Sequence, residues 1–361
     1  MGDDTARRVR VEALAAEIAR LAAQAPPTRI MHVCGSHEHS LCRWGLRSLL
    51  PESVELIGGP GCPVCVCPES DILAALSLAE RGVKVLTYGD MLRVPTRRGS
   101  LAEAAAHGAP IDLVYSPADA VRIALAEPDR EVVFFAVGFE TTAAPTAALV
   151  AAGLPPNLTI LCSHRLTPSA MELLLGSGEI AIDALIAPGH VSVVIGVEAW
   201  RPLVDRYHLP CVVAGFGPDD VLAAVANILA QRADGRVELH NTYSSVVAQD
   251  GNPRALALLD QVFEVAAVVW RGLGRLAGTG LLLRAALVEV DARARHRLVA
   301  EPAENVMPAG CGCAQVMLGQ ITPPECPLYE SVCSPSDPYG PCMVSAEGTC
   351  YIWKQFGGVA V

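Results

Sequence analysis

No stretch of this 361-residue chain approaches the roughly 18 consecutive apolar residues of a membrane span, so no transmembrane helix is expected. Positive charge is also scarce: 27 Lys and Arg stand against 38 Asp and Glu, giving a net charge of −11. A sequence-independent grip on nucleic acid needs clustered cations, and so does an anionic membrane surface. Neither partner is expected. The opening Met1-Gly-Asp-Asp-Thr-Ala-Arg-Arg carries acids and lacks the apolar core of a signal peptide. Neither G-x-G-x-x-G nor G-x-x-x-x-G-K-[ST] occurs, which leaves nucleotide chemistry without its usual phosphate cradle. The expectation is a cytoplasmic protein.

What the chain does have is apolar bulk, 52% of residues, enough for a large core and for two or three domains. Val11, Leu14, Ile18, Leu21 and Ala25 recur at helical spacing and stop at Pro26-Pro27. Short β-rich runs then alternate with helical stretches. They begin near Arg29, Val54, Val83 and Ile111, and again near Glu131, Leu158, Ala184 and Cys211. A repeat of about 25–30 residues is one βα unit, and continuously apolar strands between amphipathic helices imply parallel sheets covered on both faces. The expected fold is α/β: two similar parallel-sheet α/β domains plus a C-terminal Cys-rich iron–sulfur domain. The boundaries expected are an N-terminal helix over 1–27 packed on the C-terminal domain, α/β domains at 28–126 and 127–233, and a helical and Cys-rich domain at 234–361. One larger doubly wound sheet is the alternative. Residues 254–285 read as helical, and the tail from Ala303 is too poor in periodic apolar residues to fold on burial alone.

The 13 cysteines are unevenly placed, with six of them between Cys311 and Cys350 and three more at Cys62, Cys65 and Cys67. In a reducing compartment such crowding points to metal or electron transfer, since structural disulfides do not persist there. From Cys313 the gaps to Cys326, Cys333 and Cys350 are 12, 6 and 16 residues, with Cys342 inside the last. A Pro- and Gly-rich loop with four thiolates suits an iron–sulfur cluster. Structural zinc also takes four thiolates but prefers paired short knuckles, which this tail lacks. Cys311 and Cys342 are left outside the expected set.

Cys34-Gly-Ser-His37-Glu38 follows the first strand run, and Gly59-Pro-Gly-Cys62-Pro-Val-Cys65 follows the second. Ligands bind beyond the carboxyl ends of such strands, and consecutive strands usually neighbour each other. Cys34 is therefore expected to meet the Cys62/Cys65 pair. A C-x-x-C ahead of a helix favours the thiolate. The chemistry open to it is dithiol/disulfide exchange or ligation of a soft metal. Cys67 also reads as a small buried hydrophobe, His37 as a helix or core histidine, and Glu38 as a first-turn carboxylate.

Together these residues resemble the HypD family of [NiFe]-hydrogenase maturation factors. The likeness extends through Tyr88-Gly-Asp90-Met-Leu-Arg93, Gly138-Phe-Glu140-Thr-Thr, Pro188-Gly-His190-Val-Ser192 and the tail from Cys326 to Cys350. Ser36 stands where that family has Thr, Ala314 where Gly is expected, and Gly217 where Glu is expected between Phe216 and Pro218. The resemblance implies two α/β domains and a third that bears a cluster. It also implies a scaffold for assembling an iron centre with cyanide and CO ligands, Fe(CN)2CO. The implied partners are a small HypC-type chaperone and a HypE-type protein that delivers cyanide from a thiocyanate. Carried over by position, Cys34, Cys62 and Cys65 would bind iron, with Cys62 and Cys65 as the redox pair. Cys313, Cys326, Cys333 and Cys350 would hold a 4Fe-4S cluster. His37, Asp90 and Glu140 would line the site. This describes an assembly factor with redox chemistry more than a turnover enzyme. The competing readings are an iron–sulfur-dependent thiol–disulfide oxidoreductase acting on a protein partner, and a zinc-stabilised interaction module.

Overall fold

The computed structural model describes residues 2–299 and 307–357; Ala303, where the expected tail begins, lies outside them. The strands are β1 (Thr28–His32), β2 (Val54–Gly58), β3 (Lys84–Thr87), β4 (Ile111–Leu113), β5 (Val132–Gly138), β6 (Leu158–Arg165), β7 (Ala184–Pro188), β8 (Cys211–Ala214), β9 (Leu239–Asn241), β10 (Phe263–Trp270) and β11 (Gly274–Leu283). They form two sheets with spatial orders β2-β1-β7-β8-β9 and β10-β11-β6-β5-β3-β4. The first is wholly parallel. The second is parallel across β4, β3, β5 and β6, with the β10–β11 hairpin added antiparallel to β6. The fold is α/β with two parallel-dominated sheets and a Cys-rich C-terminal region. Every residue of β5 and β6 is buried, as strands covered on both faces require.

The sheets interleave the segments 28–126 and 127–233. Strands β1 and β2 join β7 and β8, while β3 and β4 join β5 and β6. The chain therefore crosses between sheets three times, after β2, after β6 and after β9. Sequential order in a run of βα units says nothing about which sheet each strand enters.

Two local expectations are corrected. The N-terminal helix Gly2–Ala22 does not pack on the C-terminal domain: Ile18, Leu21 and Ala22 bury against Val221, Leu222, Val225 and Leu229 of the helix Pro218–Ala233, on the first sheet. The run 254–285 is helical only through Pro253–Val262 and then becomes the β10–β11 hairpin. Phe263-Glu-Val-Ala-Ala-Val-Val-Trp270 is rich in β-branched and aromatic residues, and Gly272 and Gly274 turn the chain at φ of 80° and 91°. Phe263 and Trp270 are fully buried there, each contributing about 1.5–3 kcal/mol. Among the described residues no helix is long and apolar enough to cross a membrane.

The tail does not stand apart. Cys313, Val316, Cys342, Met343 and Cys350 share one apolar core with Cys62, Cys65, Phe139 and Trp270. The helix Thr349–Phe356 packs on the helix Gly35–Arg43.

Candidate redox and metal site

Four neighbouring strands of the first sheet end side by side, and each end carries a distinctive residue. Beyond β2 come Gly59 to Cys62, beyond β1 Cys34, beyond β7 His190, and beyond β8 Phe216. The chain leaves β1 toward β2 on one side while β7 lies on the other, so a crevice opens between the ends of β1 and β7. Cys34 Sγ lies 3.8 Å from His190 Nδ1 across that crevice. Phe216 lies between two imidazoles, its ring centroid 5.0 Å from both His37 and His190.

His37 Nε2 donates to Gly215 O at 2.9 Å, which fixes the tautomer and leaves Nδ1 buried without a partner among the described residues. Burial, aided by nearby His32, pulls its pKa down to about 3, so the ring is neutral. Burial likewise lowers His190 to about 4. The Cys34 thiol, 4% exposed, is pushed up by burial to about 12. Without a metal or a base it stays protonated.

Cys62 and Cys65 form a disulfide with Cα atoms 5.3 Å apart. Cys62 caps the short helix Pro63–Val66, where Cys65 N–H donates to Cys62 Sγ at 3.2 Å. This turn is held against the Cys34 loop because residue 61 lacks a side chain: a Cβ there would sit 2.3 Å from the Cys34 nitrogen. On its other side Cys65 Sγ lies 4.0 Å from Pro341 O, next in sequence to Cys342.

The acidic residues divide by environment. Glu38 is buried and accepts from His32 Nε2 (2.6 Å), Arg47 Nη2 (2.8 Å), Cys42 Sγ (3.3 Å) and Trp353 Nε1. Burial would raise its pKa, yet Arg47 and His32 hold it well below the usual carboxylate range. It ties the Cys34 helix to the C-terminal helix. Asp90, exposed beyond β3, accepts from Ser345 Oγ at 2.7 Å, and that same oxygen accepts from Glu347 N at 3.1 Å. Glu347 lies on the Cys34 loop, since a Cβ on Gly35 would be 2.5 Å from its Cβ. Burial, reinforced by Asp90, raises Glu347 to about 7. Asp90 is thus linked to the Cys34 loop through the tail. Glu140 sits beyond β5 with both oxygens engaged by Thr167, from N at 2.7 Å and Oγ1 at 2.9 Å. Burial raises its pKa to about 7.

In the tail, the sulfurs of Cys313, Cys342 and Cys350 lie within 4.8 Å of one another, all buried. Cys311 Sγ is 3.1 Å from Cys313 Sγ. Cys326 accepts from Gly312 N–H at 3.2 Å and Cys333 from Tyr339 N–H at 3.4 Å. Cys350 N–H donates to Cys342 Sγ at 3.3 Å, and hydrogen bonds from Cys313 and Cys350 hold the Cys342 pKa well below that of a free thiol. Backbone has been cleared for the sulfurs: a Cβ on Gly340 would fall 2.5 Å from Cys311 Sγ and 2.7 Å from Cys313 Sγ. Buried thiols with backbone N–H groups directed at sulfur are the donor set of a soft metal or an iron–sulfur cluster, and the residues fit either.

The structure therefore joins Cys34 to the Cys62–Cys65 pair and brings Cys313 and Cys350 together. It adds Cys342, which spacing had set aside, and it places Cys326 and Cys333 beside neighbouring turns. His190, Phe216 and Glu347 carried no expected role. His190 lies two residues beyond the end of β7, a position that could have singled it out, whereas Glu347 reaches Cys34 only through tertiary packing. A cleft of about 310 Å³ opens beside this cluster, lined by Gly35, Ser36, Arg43, Trp44, Phe216 and Glu347. Trp44 is half exposed at its rim.

A family model described as "HypD: Hydrogenase formation hypA family" matches residues 9–357. The chain is 43% identical over 354 residues to the hydrogenase maturation factor HypD of Azotobacter vinelandii, covering 94% of this chain and 93% of the relative. It is 45% identical over 361 aligned residues to the HypD of Rhizobium leguminosarum bv. viciae, covering 95% and 93%. A putative hydrogenase expression/formation protein of Methanocaldococcus jannaschii is 42% identical over 343 residues, covering 94% and 95%.

Proposed function

The chain belongs to the HypD family of hydrogenase maturation factors, and from that premise we propose that it is a cytoplasmic scaffold for building the Fe(CN)2CO unit. The observation that supports this reading is the contact chain Cys34, Gly61, Cys62–Cys65, Pro341, Cys342, in which a lone thiol lies beside a C-x-x-C disulfide and the disulfide beside the tail cysteines. The iron being assembled is cargo. Cys34 holds it with Cys62 and Cys65 when that pair is reduced, because low-spin iron with strong-field ligands favours electron-donating thiolates. His190 lies beside Cys34 on the crevice wall.

Cyanide release from a thiocyanate needs two electrons. The reduced pair supplies them: R–S–C≡N plus two thiols yields R–SH, HCN and the Cys62–Cys65 disulfide, so sulfur is oxidised as the S–CN bond is cleaved. The neutral imidazoles of His37 and His190 and the aromatic face of Phe216 keep the crevice poor in water. Glu347 and Asp90 form the route by which its protons reach solvent. The cleft at Gly35, Trp44 and Phe216 is where a small HypC-type partner reaches Cys34, and a HypE-type carrier presents the thiocyanate. Cys313, Cys342 and Cys350, with Cys326 or Cys333, would hold a 4Fe-4S cluster, which when bound supplies electrons one at a time to restore the dithiol.

The test is anaerobic co-purification with the small partner, iron quantification and infrared spectroscopy. The protein should carry iron with CN and CO stretching bands, and Cys34→Ala should lose them while keeping the tail-bound iron and sulfide. Bands that persist in Cys34→Ala would refute the iron-site assignment. The closed Cys62–Cys65 disulfide also suits a thiol–disulfide oxidoreductase acting on a protein. That reading requires turnover of a protein disulfide and no CN or CO bands.

A further inference from the structure

Arg271 is the first residue after β10, and only 3% of it is exposed. Its backbone N–H donates to Val66 O at 2.8 Å. This ties the β10–β11 turn to the segment between Cys65 and Cys67. The next residue touches the tail, since a Cβ on Gly272 would lie 3.0 Å from the Ala314 Cβ, one position past Cys313. Arg271 thus stands where the disulfide turn and the Cys-rich tail meet.

Its guanidinium is incompletely partnered. Nη2 donates to Pro95 O at 3.0 Å. Nε and Nη1 are buried and find no hydrogen-bond partner among the described residues. Burial pulls its proton affinity down, and Glu69, Cys67, Cys313 and Cys311 oppose that pull. Glu69 is already engaged with Arg97, through N at 2.6 Å and Nη1 at 3.4 Å. Asp71, a buried carboxylate on the same helix as the partly buried Glu69, accepts from Ser163, Arg165 and Arg293. An arginine stays charged in a protein interior, and a buried charge without a counterion costs several kcal/mol. Two nitrogens with free N–H donors and a fixed positive charge are therefore buried where the disulfide turn and the tail meet.

We infer that Arg271 is a positioning residue for the anionic group carried by the Cys-rich tail, its charge and free N–H donors offsetting the negative charge of thiolate-bound iron. The inference rests on the iron–sulfur reading above. Adding an electron makes such a group more negative, so a nearby cation and hydrogen bonds to sulfur stabilise the reduced form more and raise the reduction potential. Arg271 also touches the segment of the disulfide turn through its backbone. It therefore sets the driving force between tail and dithiol without taking part in bond changes.

The experiment compares the parent protein with Arg271→Gln, which keeps donors and loses charge, and Arg271→Lys, which keeps charge. Each is purified anaerobically, reconstituted with iron and sulfide, and titrated with redox dyes while the reduced cluster is followed by electron paramagnetic resonance. In Arg271→Gln the equilibrium constant for accepting one electron should fall at least tenfold, about 59 mV for a one-electron couple. Arg271→Lys should remain within that interval of the parent. An unchanged potential in the Gln variant, or equal falls in both, overturns the inference. Failure of the Gln variant alone to load iron supports it, because the cation is then required for assembly. Failure in both variants assigns a packing role and overturns it. A parent protein that takes up no iron and sulfide would instead refute the cluster reading itself.

Discussion

Replacing Gly61 by Ala tests whether the thiol pair must lie directly against the Cys34 loop. A Cβ at this position would lie 2.3 Å from Cys34 N, 2.5 Å from Val33 C and 2.6 Å from Cys34 Cα, where ordinary contact begins at 3.4 Å. All three obstacles are backbone, so no side chain can rotate aside. The Cys62 turn must withdraw by about 1 Å, and a displacement of that size at a reacting group costs on the order of 100-fold in rate. Overpacking adds a stability loss of about 1–3 kcal/mol. The disulfide should still form, because its Cα–Cα span of 5.3 Å closes within one local turn. Hydrogenase maturation in a strain lacking the native factor should therefore fall about 100-fold, while diamide-treated protein keeps its Cys62–Cys65 bond. Alkylation of Cys34, 4% exposed in the parent, should accelerate as the loop opens. Full maturation with Cys34 as protected as before would refute the argument that close packing here is functional.

Three further outcomes follow from the same geometry. Cys342→Ser should lower cluster iron and sulfide as severely as Cys350→Ser, because both sulfurs belong to the same group within 4.8 Å; a normal cluster in Cys342→Ser would return that position to Cys326 and Cys333. Glu38→Ala strips the acceptor from Arg47, His32 and Trp353 and should cost about 3–5 kcal/mol in urea unfolding, against little change if the carboxylate is merely a helix-turn charge. Glu140, raised from 4.5 to about 7 by burial, keeps its proton in the folded state after the unfolded chain has lost it. Its contribution to stability is thus present below pH ~4.5 and lost as pH rises through ~7, roughly 3 kcal/mol in all. Glu140→Gln should flatten that part of the profile, while Glu347, shifted the same way, leaves a residual slope. An unaltered slope would show that Glu140 is ionised in the folded protein.

Much of this could be read along the chain because it is written in local periodicity and spacing. Each of the eight βα strand starts appears where continuous apolar runs and turn residues place it, since both signals act within a few residues. The proximity of Cys34 to Cys62 and Cys65 follows from adjacent parallel strands ending at one sheet edge. The distribution of strands between two sheets is not local. Nothing within β1 or β2 says that their partner is β7 and not β3, because that choice is made by which helices the intervening segments can pack. The hairpin β10–β11 is not legible locally for a related reason: it gains its stability by adding to the edge of β6, a neighbour roughly a hundred residues away in sequence.

The sequence by itself determined the α/β class, the two groups of cysteines and the pairing of a lone thiol with a C-x-x-C at strand ends, all consequences of residue type and short-range order. Only the tertiary structure decided that Cys342 joins Cys313 and Cys350, that His190 and Glu347 face the Cys34 loop, and that Arg271 is buried between the two thiol groups. Those relations depend on chain segments brought together by packing of the tail between the sheets, and burial is also what sets the charge state of each group there.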